Sequence, residues 1–292
     1  MPTPPPLDTQ TPFGIRKFDL WSRLVWAFCD WKPWGPARRR WLRKRFARRL
    51  PGPFDVHHET LKLRLYPAEN HCDRVICSRK TLPEAKEHRA ILPHLRARGV
   101  PRLAPDTGST MVFVDIGANV GTYTIFAGRH GADNITLLAF EPHPRTFEKL
   151  LFNVTANGLP TQNILNCGVA REETSLSLWS DGGSNIGQTS MLKAGTSNPK
   201  HAVTVPVRPL LDVLAERAIA HIDVLKIDIE GFEDRALGPF LSTADDALLP
   251  TAILMEMEHQ HLWEIDIATQ LREKGYRENK ITPLNSLFTR DV

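Results

Sequence analysis

The chain has 292 residues, of which 41% are hydrophobic and 24% charged; this composition supports a sizeable core and excludes global disorder. Its four cysteines form no C-x-x-C pair, which favours reduced thiols over a disulfide framework. The formal net charge of +4 is unevenly distributed: residues 1–50 contain 12 Lys or Arg against three Asp, so this segment carries +9 and the remainder −5.

No stretch of about 18 uncharged apolar residues occurs in the sequence, which predicts that no segment spans a membrane. Residues 1–12 are proline-rich and lack the apolar core of a signal peptide. The sequence therefore predicts a cytoplasmic protein, with peripheral contact at the inner membrane surface as a further expectation.

Residues 1–52 are predicted to form an N-terminal arm outside the main domain. Apolar residues recur at helical spacing from Phe18 to Trp31, and a second helix with a basic surface is predicted over residues 37–50. The sequence Pro51-Gly52-Pro53 interrupts this pattern and marks the boundary of the arm.

The arm combines basic charge with aromatic side chains, since five of the seven tryptophans lie between residues 21 and 41. Three interpretations stay open. The arm is a helical extension packed on the body, or residues 18–50 bind an anionic membrane surface through basic and interfacial aromatic side chains. Binding to the phosphates of a nucleic acid is the least favoured of the three.

Residues 53–104 are predicted as a lead-in, with an alternating strand at Leu61–Leu65 and a helix over 83–98. From residue 105 to 292, short apolar runs alternate with helical stretches. This pattern predicts an α/β, Rossmann-like fold: a mostly parallel central sheet with helices on both faces, plus a small N-terminal strand and helix extension. The strands are predicted at 111–116, 135–140, 164–168, 222–227 and 252–257, and the helices at 121–130, 144–157, 209–219, 231–241 and 262–274.

A glycine turn follows the first strand of this domain. Gly117 permits a sharp turn and a close approach of the backbone to a ligand, because it has no Cβ. Gly121 lets the next helix begin close to the strand. In an open α/β sheet, ligands bind outside the carboxyl ends of the strands, near the point where the strand order reverses. The sequence therefore predicts a ligand site at this turn.

A second marker is Glu141, which follows the next predicted strand, 20 residues after Gly121. A carboxylate there can accept hydrogen bonds from both ribose hydroxyls of a nucleoside ligand. Asn119 stands where a dinucleotide-binding turn has its middle glycine, which disfavours a pyrophosphate and therefore NAD. Asp115, which leads the turn, favours a cationic ligand. S-adenosylmethionine, with a sulfonium and an ammonium group, fits this charge.

Three segments resemble the FkbM family of methyltransferases: Val114–Gly121, Ala139–Pro142 and Ile222–Glu233. The most specific match is the run from Leu225 to Glu233. The resemblance covers about residues 105–292 and extends more loosely back to residues 70–72. It implies a class I methyltransferase fold with S-adenosylmethionine as donor. It also implies a hydroxyl acceptor on a sugar, glycolipid or natural product, so the expected partner is a small-molecule or glycan acceptor.

The resemblance further implies where the donor binds. Its methionine end would lie at the first glycine turn, its ribose at Glu141 and its adenine at the segment Cys167–Val169. That segment is apolar where many methyltransferases have an acidic residue, so backbone groups are expected to recognise the adenine. The predicted cofactor-binding residues are Asp115, Gly117, Ala118, Asn119, Gly121, Glu141, Gly168 and Val169.

Lys226, Asp228 and Glu230 are predicted to carry the chemistry, because alternation along a strand end sends them to one side. Methyl transfer to an alcohol requires alignment of the reactants and removal of the hydroxyl proton. Asp228 is the predicted base and Lys226 its orienting partner, since a nearby lysine stabilises a charged carboxylate. The alternative is that Asp228 and Glu230 cap the helix that begins near Gly231.

Two further polar groups have open roles. The first group consists of Glu256, Glu258, His259 and His261. Their spacing matches no strong metal-ligand pattern, so no metal is predicted, and these residues are expected to line the acceptor pocket. The second group consists of Asp181, Asn185 and Ser190. It belongs either to an ordinary surface loop or to a lid over the acceptor.

The leading prediction from the sequence is an O-methyltransferase. A nicotinamide-dependent oxidoreductase stays open as an alternative, because the first two strands of the domain serve both cofactors. A non-catalytic membrane- or carbohydrate-binding protein that retains the fold is the third possibility.

Overall fold

The structure is a computed structural model, and it describes residues 6–50, 52–79, 81–97, 110–180, 189–193 and 201–291. The N-terminal arm contains two helices, and the lead-in adds an antiparallel hairpin and two more helices. These elements are α1 (Leu20–Cys29), α2 (Pro36–Ala47), β1 (Phe54–His58), β2 (Leu61–Leu65), α3 (His71–Arg79) and α4 (Ala85–Arg96).

Strands and helices alternate from residue 111 onward, as the apolar runs predict. The elements are β3 (Met111–Ile116), α5 (Thr122–His130), β4 (Ile135–Phe140), α6 (Pro144–Ala156), β5 (Ile164–Leu165), β6 (Gly168–Val169), β7 (Thr174–Ser180), β8 (Thr189–Ser190), β9 (His201–Arg208), α7 (Leu210–Glu216), β10 (Val224–Ile227), α8 (Glu233–Thr243), β11 (Ala252–Glu256), α9 (Ile267–Glu273), β12 (Arg277–Lys280) and β13 (Asn285–Thr289).

The central sheet has seven strands in the order β12-β13-β11-β10-β3-β4-β5. The five strands from β11 to β5 run parallel, and β13 pairs antiparallel with both β11 and β12. From β3 the chain proceeds outward through β4 and β5, and later returns to form β10 on the other side of β3. The strand order therefore reverses between β3 and β10, and the predicted Rossmann-like α/β fold is confirmed.

Every residue of β3 is buried, because both faces of the sheet are covered. Side chains alternate between the two faces: Val112 and Val114 belong to one apolar cluster, whereas Phe113 belongs to the other. The central strands are thus fixed in register by two cores, which holds their carboxyl ends in place.

A second sheet of four strands, in the order β6-β9-β7-β8, lies outside the predicted pattern. The strand predicted at 164–168 is wrong as a single element, because it divides between the two sheets. Ile164–Leu165 pairs with β4, whereas Gly168–Val169 pairs with β9. The sequence also left β1, α3, β12 and β13 unpredicted; their polar residues conceal the apolar patterns.

The lead-in is tied to the rest of the chain by buried charges. Arg64 is almost fully buried, and its guanidinium donates to Asp55 and to the backbone carbonyls of Asp8, Thr11 and Pro12. Buried charge is tolerated only when it is paired and hydrogen-bonded, which is the case here. Residues 8–12 are therefore held against the hairpin chiefly by Arg64, and the backbone N–H of Asp8 also donates to the Tyr66 hydroxyl at 2.9 Å.

Helix α1 has two different sides. Asp19 caps its first turn by accepting from the backbone N–H of Ser22 at 2.6 Å. Ser22, Val25 and Cys29 are buried, and α1 contacts α2. Phe18 and Trp26 pack against an apolar cluster of the body, which supports the interpretation of the arm as a packed extension. Among the helices that the structure describes, none is long and apolar enough to cross a membrane.

Candidate functional site

A cavity of about 290 Å³ opens at the carboxyl ends of the central strands, where the strand order reverses. Seven of the residues predicted to bind the cofactor or carry the chemistry line it, and they come from the ends of β3, β4 and β10. These are Gly117, Ala118, Asn119, Glu141, Lys226, Asp228 and Glu230. The structure therefore brings together residues that lie more than 100 positions apart in the sequence.

The turn after β3 forms one wall of the cavity. The backbone N–H groups of Gly117 and Ala118 both donate to the carbonyl of Phe140, at 3.0 and 2.9 Å. Gly117 has a φ of +79°, and a Cβ on it would lie 2.1 Å from the carbonyl oxygen of Asp228. Glycine is required here because the turn and the segment after β10 pass too closely for any side chain.

Glu141 holds the turns after β3 and β4 together. Its carboxylate accepts from the backbone N–H groups of Asn119 and His143, each at 2.9 Å. Burial raises the pKa of Glu141 to about 7. A carboxylate offers about four acceptor positions, so two are left for a ligand in the cavity.

Asp115 and Lys226 form a charged pair beneath the turn. Asp115 is fully buried and accepts from the Thr124 hydroxyl at 2.6 Å; it does not line the cavity. The Lys226 ammonium donates to the carbonyl of Gly117 at 2.7 Å and lies 3.5 Å from Asp115. Burial alone would lower the pKa of Lys226, but the charges of Asp115 and Asp228 raise it above its usual range. Lys226 therefore stays charged and fixes the turn.

Asp228 faces the cavity with 31% of its side chain exposed. The Lys226 ammonium lies 3.9 Å from its carboxylate, which is an ion-pair distance and too long for a hydrogen bond. The predicted orienting contact from Lys226 is thus weak, because the ammonium hydrogen-bonds to the Gly117 carbonyl instead.

The alternative interpretation of Asp228 and Glu230 as helix caps is wrong. Helix α8 begins at Glu233 and has no side-chain cap. The carboxylate of Glu233 itself accepts from the backbone N–H groups of Ile229 and Gly231, at 2.9 and 3.2 Å. Glu233 holds this turn, and Asp228 and Glu230 are left to face the cavity.

Glu256, at the end of β11, lies among other carboxylates. Burial, and then the charges of Asp228, Glu230 and Glu233, raise the pKa of Glu256 to about 11. Its Oε2 atom is buried and has no hydrogen-bond partner among the described residues. Glu256 is therefore protonated at neutral pH and is a hydrogen-bond donor in a group of acceptors.

Three side chains in this region could together hold a cation. Glu230 accepts from or donates to the Nε2 atom of His259 at 3.0 Å, depending on protonation. The ligand atoms of Glu230, Glu256 and His259 lie within 4.8 Å of one another. Glu258 lines the cavity without joining this group, and His261 lies outside it as well. The expected absence of a metal stays a prediction.

A comparison with known families gives the identity of the fold. The model of the family described as "Methyltransferase FkbM domain" matches residues 115–278, which is more than half of the chain. The chain belongs to the FkbM methyltransferase family.

Two curated relatives support this membership. The chain is 32% identical over 136 residues to "Methyltransferase 1" of Beauveria bassiana, covering 41% of this chain and 54% of the relative. It is 30% identical over 152 residues to "31-O-demethyl-FK506 methyltransferase FkbM" of Streptomyces tacrolimicus, covering 43% of this chain and 58% of the relative. The matches thus span a little over half the length of these relatives.

The chain is also similar to solved structures at low identity. It is 13% identical to Methyltransferase FkbM from Methylobacillus flagellatus KT, with a TM-score of 0.39, covering 86% of this chain and 59% of that chain. It is 12% identical to human methyltransferase 10 domain containing protein, with a TM-score of 0.41, covering 78% of this chain and 87% of that chain.

Besides Asp115, three residues predicted to bind the cofactor do not line the cavity of this FkbM family member. Gly121 has a φ of +91°, and a Cβ there would lie 2.7 Å from Leu150, so it permits close packing of α5 on α6. Gly168 and Val169 lie in β6, and a Cβ on Gly168 would overlap the side chain of Met191 at 2.1 Å. Met191 lines the cavity, so Gly168 affects the cavity wall only by leaving room for the Met191 side chain.

The prediction missed the wall that the lead-in supplies. His71, Cys72 and Glu84 line the cavity, as does Tyr123, whose hydroxyl donates to the carboxylate of Glu84 at 2.7 Å. Asn70 reaches the turn as well, donating to the Asn119 side chain at 2.8 Å. The resemblance extended loosely to residues 70–72, and this was the one signal in the sequence for the wall.

The small sheet supplies the opposite wall, which was also missed. Leu178, Thr189 and Met191 line the cavity from β7 and the segment at β8. Ser190 is buried, and its hydroxyl donates to the backbone carbonyl of Glu230 at 2.8 Å. Asp181 and Asn185, predicted in the same loop, lie outside the described residues.

Proposed function

We propose that this chain is an S-adenosylmethionine-dependent methyltransferase that methylates a hydroxyl group of a saccharide, glycolipid or natural product. The observation that carries the proposal is the charge of the cavity at the glycine turn. Among the described residues, six carboxyl side chains line the cavity against one ammonium, that of Lys226; Glu256 is neutral, and the other five are Glu84, Glu141, Asp228, Glu230 and Glu258. Such a lining favours a cationic ligand and opposes a pyrophosphate.

The residues present fit the donor. Glu141 has free acceptor positions for the ribose hydroxyls at the tip of β4. The turn of Gly117, Ala118 and Asn119 offers a close backbone for the methionine end, held from below by Lys226. When bound, S-adenosylmethionine supplies a methyl carbon made electrophilic by the adjacent sulfonium.

The chemistry left to the chain is alignment and proton removal. Asp228 is the partly exposed carboxylate at the cavity, and it would accept the proton of the acceptor hydroxyl. Glu256, held neutral by burial and by the neighbouring carboxylates, would donate a hydrogen bond to Asp228 and orient it. The Glu230–His259 pair beside them would orient the acceptor or receive the proton in turn.

A hydroxyl acceptor is supported by the relative from Streptomyces tacrolimicus, whose name, "31-O-demethyl-FK506 methyltransferase", describes a methylation at oxygen. The cavity contains few groups that would select one hydroxyl-bearing compound. The acceptor class therefore rests on this relative and on the polar lining of the cavity.

The test is to incubate the protein with glycan, lipid and metabolite pools and a donor carrying a labelled methyl group, and to search for labelled products by mass spectrometry. We expect the label in a methyl group that resists mild base, as a methyl ether does and a methyl ester does not. Calorimetry in parallel should show binding of S-adenosylmethionine and of its demethylated product, with none for NAD. Binding of NAD without binding of S-adenosylmethionine would overturn the proposal.

A further inference from the structure

The exposed apolar side chains of this protein are concentrated in its N-terminal arm. Of the ten large hydrophobic side chains that are exposed in the described part of the chain, seven lie between residues 15 and 41. Such concentrations mark interaction surfaces, whereas single exposed hydrophobic residues are ordinary. The seven are Ile15, Leu20, Trp21, Leu24, Phe28, Trp31 and Trp41.

Helix α1 presents these residues on one side. At about 100° per residue, Leu20, Trp21, Leu24 and Phe28 fall within a sector of roughly 100°, opposite the buried side of the helix. Leu20 and Trp21 are each 72% exposed. The described residues of the chain do not cover this apolar side, although the other side of the same helix is packed.

Aromatic contacts connect this side to the basic helix α2. The ring of Trp34 packs edge-on against Phe28 and Trp31, with centroids 5.6 and 5.7 Å apart. The guanidinium of Arg38 lies 3.8 Å from the centre of the Trp34 ring. The apolar side and the basic surface are therefore contiguous.

Most of the basic charge of α2 and the residues after it is not neutralised within the described chain. Arg43 is paired with Asp30, but no described acidic side chain lies within ion-pair distance of Lys44, Arg45 or Arg48. These three side chains are exposed, as is Arg49. The arm thus offers free cations beside exposed tryptophan and leucine.

We propose that the arm is a docking surface for an anionic lipid bilayer. Apolar and tryptophan side chains on α1 would enter the interface, while the basic residues of α2 would bind the anionic headgroups. The exposed leucines have no role in binding nucleic acid phosphates. A second copy of the chain is a poor occupant, because two arms of charge +9 repel each other.

The docking surface lies beside the cavity. Helix α2 packs on α3, and the first residues of α3, His71 and Cys72, line the cavity. An enzyme held at a bilayer by this arm has its cavity one short helix away from the lipid. This placement suits an acceptor presented at the membrane, a point that rests on the proposed function; the docking itself does not.

The test is cosedimentation of the full chain with vesicles, one set of phosphatidylcholine alone and one with a quarter of phosphatidylglycerol. We expect binding to the anionic vesicles, with affinity falling as salt rises from about 50 to 500 mM. A Lys or Arg near an anionic surface contributes about fivefold in affinity, so Lys44→Glu/Arg48→Glu should weaken binding at least about thirtyfold.

Matched variants separate the arm from the rest of the surface. Arg277→Glu/Lys280→Glu changes two exposed basic residues of β12 and should leave binding unchanged. Leu20→Ser/Leu24→Ser should weaken binding about tenfold or more, whereas Ile265→Ser/Leu284→Ser, at exposed sites of the body, should not. Circular dichroism and the melting temperature check that each variant folds.

The proposal is overturned if the chain does not bind anionic vesicles, or if the control pairs weaken binding as much as the arm pairs. It is also overturned if sedimentation equilibrium shows a dimer that Leu20→Ser/Leu24→Ser dissociates, since a second copy would then cover α1. If the unmodified chain binds anionic vesicles but transfers no methyl group, the proposed function alone is contradicted.

Discussion

The cavity and the N-terminal arm carry opposite charge, and they hold it in different ways. In the cavity, charges are buried and connected: Glu141 to two backbone N–H groups, and Lys226 to Gly117 and Asp115. In the arm, basic side chains such as Lys44 and Arg48 are exposed and largely free. Buried charge fixes geometry for chemistry, whereas exposed charge is available to a partner.

The largest expected effect tests whether the cavity performs the chemistry. Asp228→Asn keeps the size of the side chain but removes its ability to take a proton. If Asp228 is the base, kcat should fall about 10²–10⁴-fold with donor affinity unchanged. Steady-state kinetics and calorimetry measure both quantities. Asp133→Asn, at an exposed turn, is the control; full activity in Asp228→Asn would transfer the role to Glu230 and His259.

The next effect tests whether the buried pair fixes the turn. Lys226→Met leaves Asp115 buried without its counter-charge, and we expect a loss of about 3–5 kcal/mol in the free energy of unfolding. The double variant Asp115→Asn/Lys226→Met should recover part of this loss, because it buries no unpaired charge. Urea denaturation measures all three proteins. A double variant no more stable than Lys226→Met would contradict a charge effect.

A smaller effect concerns the pH dependence of donor binding. The pKa of Glu141 is about 7 in the folded protein and 4.5 in a model peptide, so the folded chain keeps this proton to a higher pH than the unfolded chain. This group therefore lowers stability as pH rises from about 4.5 to about 7. The ribose hydroxyls need the ionised form as acceptor, so donor affinity should rise across neutral pH.

Glu141→Gln should remove the contribution of this group to both pH dependences and weaken donor binding at least tenfold, since two charge-assisted hydrogen bonds are lost. Calorimetry between pH 5.5 and 8.5 measures the affinity. Glu148→Gln, exposed on α6, is the control. Equal affinity and slope in wild type and Glu141→Gln would remove Glu141 from the donor site.

The smallest effect compares the two regions directly through their helix caps. Asp19 caps α1 and Asp266 caps α9, each by accepting from a backbone N–H in the first turn. Each substitution by alanine costs about 1 kcal/mol locally. Asp266→Ala should lower the melting temperature, because α9 packs its buried Ile267 and Leu271 on the core. Asp19→Ala should instead raise amide hydrogen exchange in α1 alone. If Asp19→Ala lowers the melting temperature as much as Asp266→Ala does, the arm unfolds together with the core and this prediction is wrong.

The parts of the site that the sequence predicted are those with a local signal. The turn at Gly117 and the carboxylate of Glu141 each follow an apolar strand, and parallel strands end at the same edge of a sheet. Asp115 is next to the turn in sequence, but strand alternation sends its side chain beneath the turn. The position of a residue in the sequence therefore did not show whether its side chain lines the cavity or supports the turn from beneath.

The missed parts depend on contacts between distant segments. Asn70 reaches the Asn119 side chain across 49 positions, and Ser190 reaches Glu230 across 40. Neither contact leaves a periodic pattern in the sequence. Asp228 and Glu230 do not take the alternative capping role, and the carboxylate of Glu233 reaches back to hold the turn instead. Which of several nearby carboxylates accepts from a backbone N–H group depends on the three-dimensional geometry of the turn. The spacing of these residues in the sequence does not determine that geometry.

The arginine that chiefly holds residues 8–12 has a practical consequence for dissecting the protein. A truncated chain that begins at residue 53 would lack the arm and would also strip Arg64 of the carbonyls of Asp8, Thr11 and Pro12. Asp55 would still pair with the guanidinium, but the N–H groups that donate to the three carbonyls would lose these partners, and we expect the hairpin beside α6 to loosen. Loss of membrane binding in such a chain would be indistinguishable from damage to the body. The arm is thus not a detachable module, and its role can be assigned only by changing side chains while residues 8–12 stay in place.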